Sequence, residues 1–285
     1  MKLAYFPNQI ALNAQPVLDA FLAGCKLSGI HPVANATNAD AAVIWSVVWN
    51  GRMRMNQPVF SQYRAAGKPV FILEVGTLRR GITWKVSLNN TNALGIFANH
   101  TNFLPNRSNM LGIELTPENL SRKPEILIAT QHKLSEQWKG MPEVDQWVTD
   151  TIAEIRKYTQ RPIVVRPHPR SPIRNRSIGN VLVEIPRKEV DSYDNYDLKH
   201  DYHAVINWNS GVAIQSAIAG TPVITGLSSL AHEISGKYEN IEGIVLPNRD
   251  QWFNKILHTE WLIEELALGI PQQRLLNEIR LDFAV

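Results

Sequence analysis

Cysteine is almost missing from this sequence. The single Cys25 cannot close an internal disulfide, which suits a reducing cytoplasm as the expected location. No apolar run approaches the roughly 20 residues that a membrane-spanning helix needs. The opening "MKLAYFPNQIALNAQ" holds one early lysine and is broken by Pro7, Asn8 and Gln9. It reads as a first strand and loop, so neither a signal peptide nor membrane insertion is expected. Both the glycine-rich dinucleotide fingerprint and the P-loop are absent, which argues against dehydrogenase and NTPase chemistry. Internal repeats and low-complexity tracts are also lacking. Neither sign of charge dominates: the formal net charge is +3 and the pI is near 8.9. That balance permits a polyanionic partner without requiring one.

What is present is enough apolar sequence for substantial cores, 44% over 285 residues, or one large to two modest domains. Strand-length apolar runs alternate with longer amphipathic stretches. "KLAY", "QPVLDAFLAGCKLSG", "AAVIWSVVW", "NQPVFSQYRAAG" and "KPVFILEVG" read as strand, helix, strand, helix, strand. "GITWKVSLNN" and "ALGIFA" read as short strands. After the polar "LTPENLSRKPE" a second series starts with "ILIAT", continues through the helical "PEVDQWVTDTIAEIRKYT" and the strands "PIVVRPHP" and "VLVEIP", and ends with "HAVINWNSG", a helix and "TPVITG". Two helices, "RDQWFNKILHTEWLIEELALG" and "PQQRLLNEIRLDF", close the chain. The expectation is an α/β protein of two doubly wound, Rossmann-like domains, 1–115 and 116–285, facing each other across a cleft at the strands' carboxyl ends.

Polar motifs fall at those ends. In "NWNSGVAIQSAIAGTPVIT", Asn209, Ser210 and Gly211 stand between a strand and a helix. Ser210 can be an ordinary N-cap, or the helix's free N–H groups can cradle a phosphate. "VVRPHPRSP" places Arg166, His168 and Arg170 in alternation on a proline-stiffened segment, so the three cations can face one anion; a solvated basic loop is the other reading. "ILIATQH" adds Thr130, Gln131 and His132 at the same rim. In the first half, "FILEVGTLRRG" leaves Glu74 at a strand end ahead of Gly76, Arg79 and Arg80. A carboxylate there suits a general base, or an ion pair with either arginine. Asp191, Asp194 and Asp197 in "DSYDNYD" could imitate a metal site, but a loop or helix-cap role is favoured and no metal ligand is assigned.

Taken in order, E-x-G, H-P and the N-S-G…G-x-P-V segment resemble the GT-B-like transferases of the sialyltransferase and capsule-polysaccharide Kdo-transferase type. With "GRMRMNQPVF", "GTLRRGITWKV" and "EWLIEELALG", the pattern is also similar to glycosyltransferase-like proteins encoded by bacteriophages. The resemblance implies a GT-B-like fold, a nucleotide-sugar donor linked through UDP or CMP, and no required metal. It assigns His168 to the donor phosphate, Ser210 and Gly211 to the helix-end cradle, and Glu74 to the base. Arg166, Arg170, Gln131 and Asn209 complete the expected donor set. The match departs at Val75, where the motif's second acid is missing, and at Gln215, where related segments carry Glu.

Arg52, Arg54, Arg79, Arg80 and Lys85 beside Trp49 and Trp84 mix phosphate-binding cations with stacking surfaces. Structural tryptophans on an ordinary surface are the alternative. With the phage resemblance they imply DNA as a partner and a hydroxymethylated pyrimidine as acceptor, extruded from the duplex. A surface-glycan acceptor and a non-catalytic nucleotide-sugar or nucleic-acid binding module are the other two readings.

Overall fold

The computed structural model describes residues 1–98, 103–173, 181–188 and 197–282. Asp191 and Asp194 lie outside them. The chain divides into two compact units, Met1–Leu111 with Asn254–Val285, and Gly112–Phe253.

The first unit begins with β1 (Lys2–Tyr5), α1 (Gln15–Leu27), β2 (His31–Ala34), β3 (Ala41–Trp45), α2 (Asn56–Ala65), β4 (Val70–Val75) and β5 (Trp84–Leu88). Short α3 (Arg107–Leu111) ends its first segment. β3 is buried at every residue, the unbroken apolar run expected of a strand covered on both faces. β1, β2, β3 and β4 pair in parallel, and β5 runs antiparallel to β4.

The second unit supplies β6 (Ile126–Ala129), α4 (Val144–Ile155), β7 (Ile163–Arg166), β8 (Leu182–Val183), β9 (Ala204–Asn207), α5 (Gly211–Ile218) and β10 (Val223–Thr225). Its sheet is parallel throughout, in the order β10-β9-β6-β7-β8. From β6 the chain builds outward through β7 to β8, then returns to β6's other side with β9. The topological switch therefore falls between β6 and β9, where open α/β sheets bind ligands at the strands' carboxyl ends. Ile126, Ile128, Val165 and Ile206 pack beneath that edge with Trp147 and Val148 of α4.

The tail corrects two expectations. "RDQWFNKILHTEWLIEELALG" is not one helix but α6 (Asp250–Leu257), β11 (Glu260–Trp261) and α7 (Ile263–Ala267), with α8 (Ile270–Asp282) after it. β11 pairs antiparallel with β5 and completes a six-stranded sheet, β11-β5-β4-β3-β1-β2. The tail expected in the second domain thus packs with the first unit, because β11 covers an edge that β5 leaves open and α7 lies on α1. That crossing needs Gly24: a Cβ there would sit 2.0 Å from the Leu266 carbonyl oxygen and 2.7 Å from the Gly269 nitrogen. "ALGIFA" forms no strand; Ile96 makes one isolated bridge to Leu88.

Candidate functional site

At the carboxyl edge of the second sheet, the loops after β6, β7 and β9 are tied to one another. Gln131 Oε1 accepts from the Asn209 backbone N–H at 3.1 Å, bridging the switch point. Asn209 Nδ2 donates to Ser228 Oγ at 2.9 Å, drawing in the loop after β10. Thr130 Oγ1 accepts from the His168 N–H at 2.9 Å, and the His132 and His168 rings meet edge to face with centroids 5.3 Å apart. Gln131, His168, Asn209, Ser210 and Gly211 are thereby gathered at one rim.

Ser210 is the N-cap of α5: its backbone is extended and its side chain accepts from the Val212 N–H. Capping by Ser210 satisfies one of the helix's first amides and leaves the positive end of its dipole at the rim. Gly220, with φ of +92°, turns the chain after α5, and a Cβ there would meet the Pro117 carbonyl oxygen at 2.2 Å. Arg249, which the sequence pattern did not single out, donates to the carbonyls of Ala217 and Thr116 and ties down the far end of α5. Burial lowers its pKa first of all.

Arg166 requires a correction. Its guanidinium pairs with Glu184 at 2.6 Å and Asp197 at 3.0 Å, and donates to the Asp197 carbonyl. The side chain is only 7% exposed, so it neutralises two loop carboxylates instead of converging with His168 on a ligand. Tyr202 donates to the same Glu184. Asp197, the described member of the acidic cluster, is a loop staple that also accepts from the Arg187 N–H at 2.8 Å. Arg170 is exposed, and its backbone N–H donates to His168 Nδ1 at 3.1 Å. Among the described residues, no group of three His, Cys, Asp or Glu is placed to hold a metal.

Glu74 is the penultimate residue of β4 in the first unit, half-buried, in register with Lys85 on β5. Lys85 is in turn opposite Glu260 on β11, which puts the three on one face of the sheet. Glu260, missed by the sequence reading, is 1% exposed. Its carboxylate accepts from the N–H groups of Thr77 at 2.6 Å and Leu78 at 2.9 Å, and from Thr83 Oγ1 at 2.7 Å. The glycine of E-x-G has its reason here, since a Cβ on Gly76 would lie 2.2 Å from the Thr83 carbonyl oxygen and 2.6 Å from Glu260 Oε2.

The aromatic part of the expected acceptor surface is also corrected. Trp84 is 3% exposed and packs on Trp45 with ring centroids 6.0 Å apart, because it lies mid-sheet between Val75 and Trp261. Trp49 packs on Phe60, and Lys85 is buried as well. Arg79 donates to the Leu111 carbonyl at 3.0 Å, and Arg80 is half-buried. Arg52 and Arg54 are exposed on the short helical turn Gly51–Met55.

Two doubly wound units with polar loops at their strand ends give an α/β fold of the GT-B-like class. The particular resemblance lies with the beta Kdo 2,7 transferase of Thermosulfurimonas dismutans KpsC, at a TM-score of 0.53 and 14% identity over 98% of this chain and 100% of that one. The beta Kdo 2,4 transferase of the same KpsC matches with a TM-score of 0.52 and 14% identity over 90% of each chain. No family model matches the sequence, and comparison with curated proteins yields no significant match. Among the described residues, no helix is long and apolar enough to cross a membrane.

Proposed function

We propose that the chain is a glycosyltransferase that moves a sugar from a nucleotide sugar to a hydroxyl. The observation that carries this reading is the gathering of Gln131, His168, Asn209 and the α5 N-terminus at the switch point of a parallel sheet. As the glycosidic bond breaks, negative charge builds on the donor phosphate. His168 and the first amides of α5 stabilise that charge, an arrangement that calls on no metal. Glu74 is the proposed base toward the acceptor hydroxyl. A glycan acceptor is preferred over DNA, because the buried Trp84 offers no base a stacking face and the fold is shared with Kdo transferases.

The test incubates the protein with CMP- and UDP-linked sugars together with oligosaccharides, hydroxymethylated DNA or plain DNA, and weighs the products. Transfer to an oligosaccharide is expected, with His168→Ala reducing it by ~10²-fold or more at unchanged thermal stability. Product on hydroxymethylated DNA alone would restore the DNA acceptor. Donor binding without transfer or hydrolysis would leave a binding module.

A further inference from the structure

Three buried polar atoms at the switch point have no partner among the described residues: His132 Nε2, Gln131 Nε2 and Asn207 Oδ1. Their residues are 6%, 6% and 2% exposed. Buried polar atoms left unsatisfied are destabilising, so three together at one strand edge ask for a ligand. The other end of each side chain is already fixed. The Leu134 N–H donates to His132 Nδ1 at 3.1 Å, so Nδ1 carries the lone pair and the neutral ring holds its proton on Nε2. Gln131 Oε1 is taken by the Asn209 N–H, which leaves its NH2 as a second donor. Asn207 Nδ2 donates to the Ser210 carbonyl, leaving Oδ1 as an acceptor. Burial first, then Arg170 and Lys133, lowers the His132 pKa and keeps that ring neutral.

Building on the donor-site reading above, we propose that His132 is a second imidazole donor to the nucleotide, giving its Nε2–H to a phosphate oxygen alongside the Gln131 amide. Asn207 Oδ1 then accepts from a hydroxyl or N–H of the same nucleotide, a group that a free phosphate dianion does not supply. His132 acts as a neutral hydrogen-bond donor of fixed tautomer, and the edge-to-face His168 ring holds it in place.

Calorimetric titration with CMP, UDP and inorganic phosphate tests this in the wild type, His132→Phe and His132→Gln. Phe keeps the ring packing and loses the donor; Gln keeps an N–H. A nucleotide is expected to bind the wild type, to bind His132→Phe roughly ten- to a hundredfold more weakly, and to recover part of that loss in His132→Gln. Wild-type affinity in His132→Phe overturns the proposal while leaving the donor site standing. No nucleotide binding by the wild type removes the donor site and this proposal with it. Equal affinity for inorganic phosphate overturns the nucleotide assignment. Should His132→Phe fail to fold, the imidazole nitrogen resonances of the wild type decide: Nε2–H must be protonated before nucleotide is added and must shift with it, and an unmoved resonance refutes the contact.

Discussion

Loss of Glu260 is expected to harm the first unit severely, because its buried carboxylate holds three donors. Oε1 takes the Thr77 N–H, while Oε2 takes both the Leu78 N–H and the Thr83 hydroxyl. Glu260→Ala strands two backbone donors beneath a closed turn, at about 1–3 kcal/mol each, besides removing side-chain packing. The sum, roughly 3–6 kcal/mol, is a large share of the 5–15 kcal/mol that separates typical folded and unfolded chains. Glu260→Gln replaces one oxygen by NH2. The Thr83 hydroxyl can rotate to accept from it, but one backbone N–H then faces another donor, so about 1–3 kcal/mol is expected. Urea denaturation gives the free energies, and hydrogen exchange at the Thr77 and Leu78 amides locates them. Wild-type stability and undiminished amide protection in Glu260→Gln would refute the clamp. Because the clamped turn starts two residues after Glu74, Glu260→Gln is also expected to lower transfer without changing nucleotide affinity.

Three further outcomes are expected. Burial is the largest cause lowering the pKa of His132, His203 and His258; each is harder to protonate in the folded chain than in the unfolded chain, which takes up protons near pH 6.5. Stability contributed by these lowered values is complete above about pH 6.5 and declines as the pH falls below it; a urea midpoint that stays level between pH 7.5 and 5.5 would contradict this. Gly24→Ala drives a methyl against the Leu266 carbonyl and is expected to destabilise the first unit by about 1–3 kcal/mol or more, measurable as a lower Tm, whereas wild-type Tm would mean that α1 and α7 separate at no cost. Arg166→Met leaves the partly solvated Glu184 and Asp197 without their cation and is expected to cost about 1–3 kcal/mol while folded protein binds nucleotide normally; a selective loss of nucleotide affinity would return Arg166 to the ligand.

Local chemistry was legible in the sequence, and distant partnership was not. The strands from "AAVIW", "VFILEV", "ILIA", "IVVR" and "AVIN" stood out because parallel strands buried on both faces are apolar throughout. α1, α2 and α4 carried the amphipathic spacing that marks helices. Ser210 at its cap and Gln131 at its strand end were likewise visible from position alone. β11 was hidden inside a helix-like segment, since two residues become a strand only through pairing with β5, some 175 positions earlier. Arg166 was misread for a similar reason: a cation at a strand end looks available until Glu184 and Asp197 arrive from later loops. Glu260 left only the faint signal of an acid beside Trp261 in an apolar stretch. Trp84 showed the converse, an aromatic among arginines that is mid-sheet once β11 covers β5.

The return of the tail to the first unit also fixes an order of events on the ribosome. Residues 112–253 emerge as an uninterrupted stretch and can complete their sheet as soon as β10 and the segment after it are out. The first unit, begun earlier, cannot finish until residues beyond 254 appear. Only then can β11 cover the β5 edge and Glu265 meet the buried Arg107 guanidinium. Meanwhile β5 presents an open strand edge and Trp84 lacks its cover, features that invite association with other chains. The nascent protein thus matures from its middle outward, and a chain stopped at residue 253 would carry a finished second unit attached to an aggregation-prone first one.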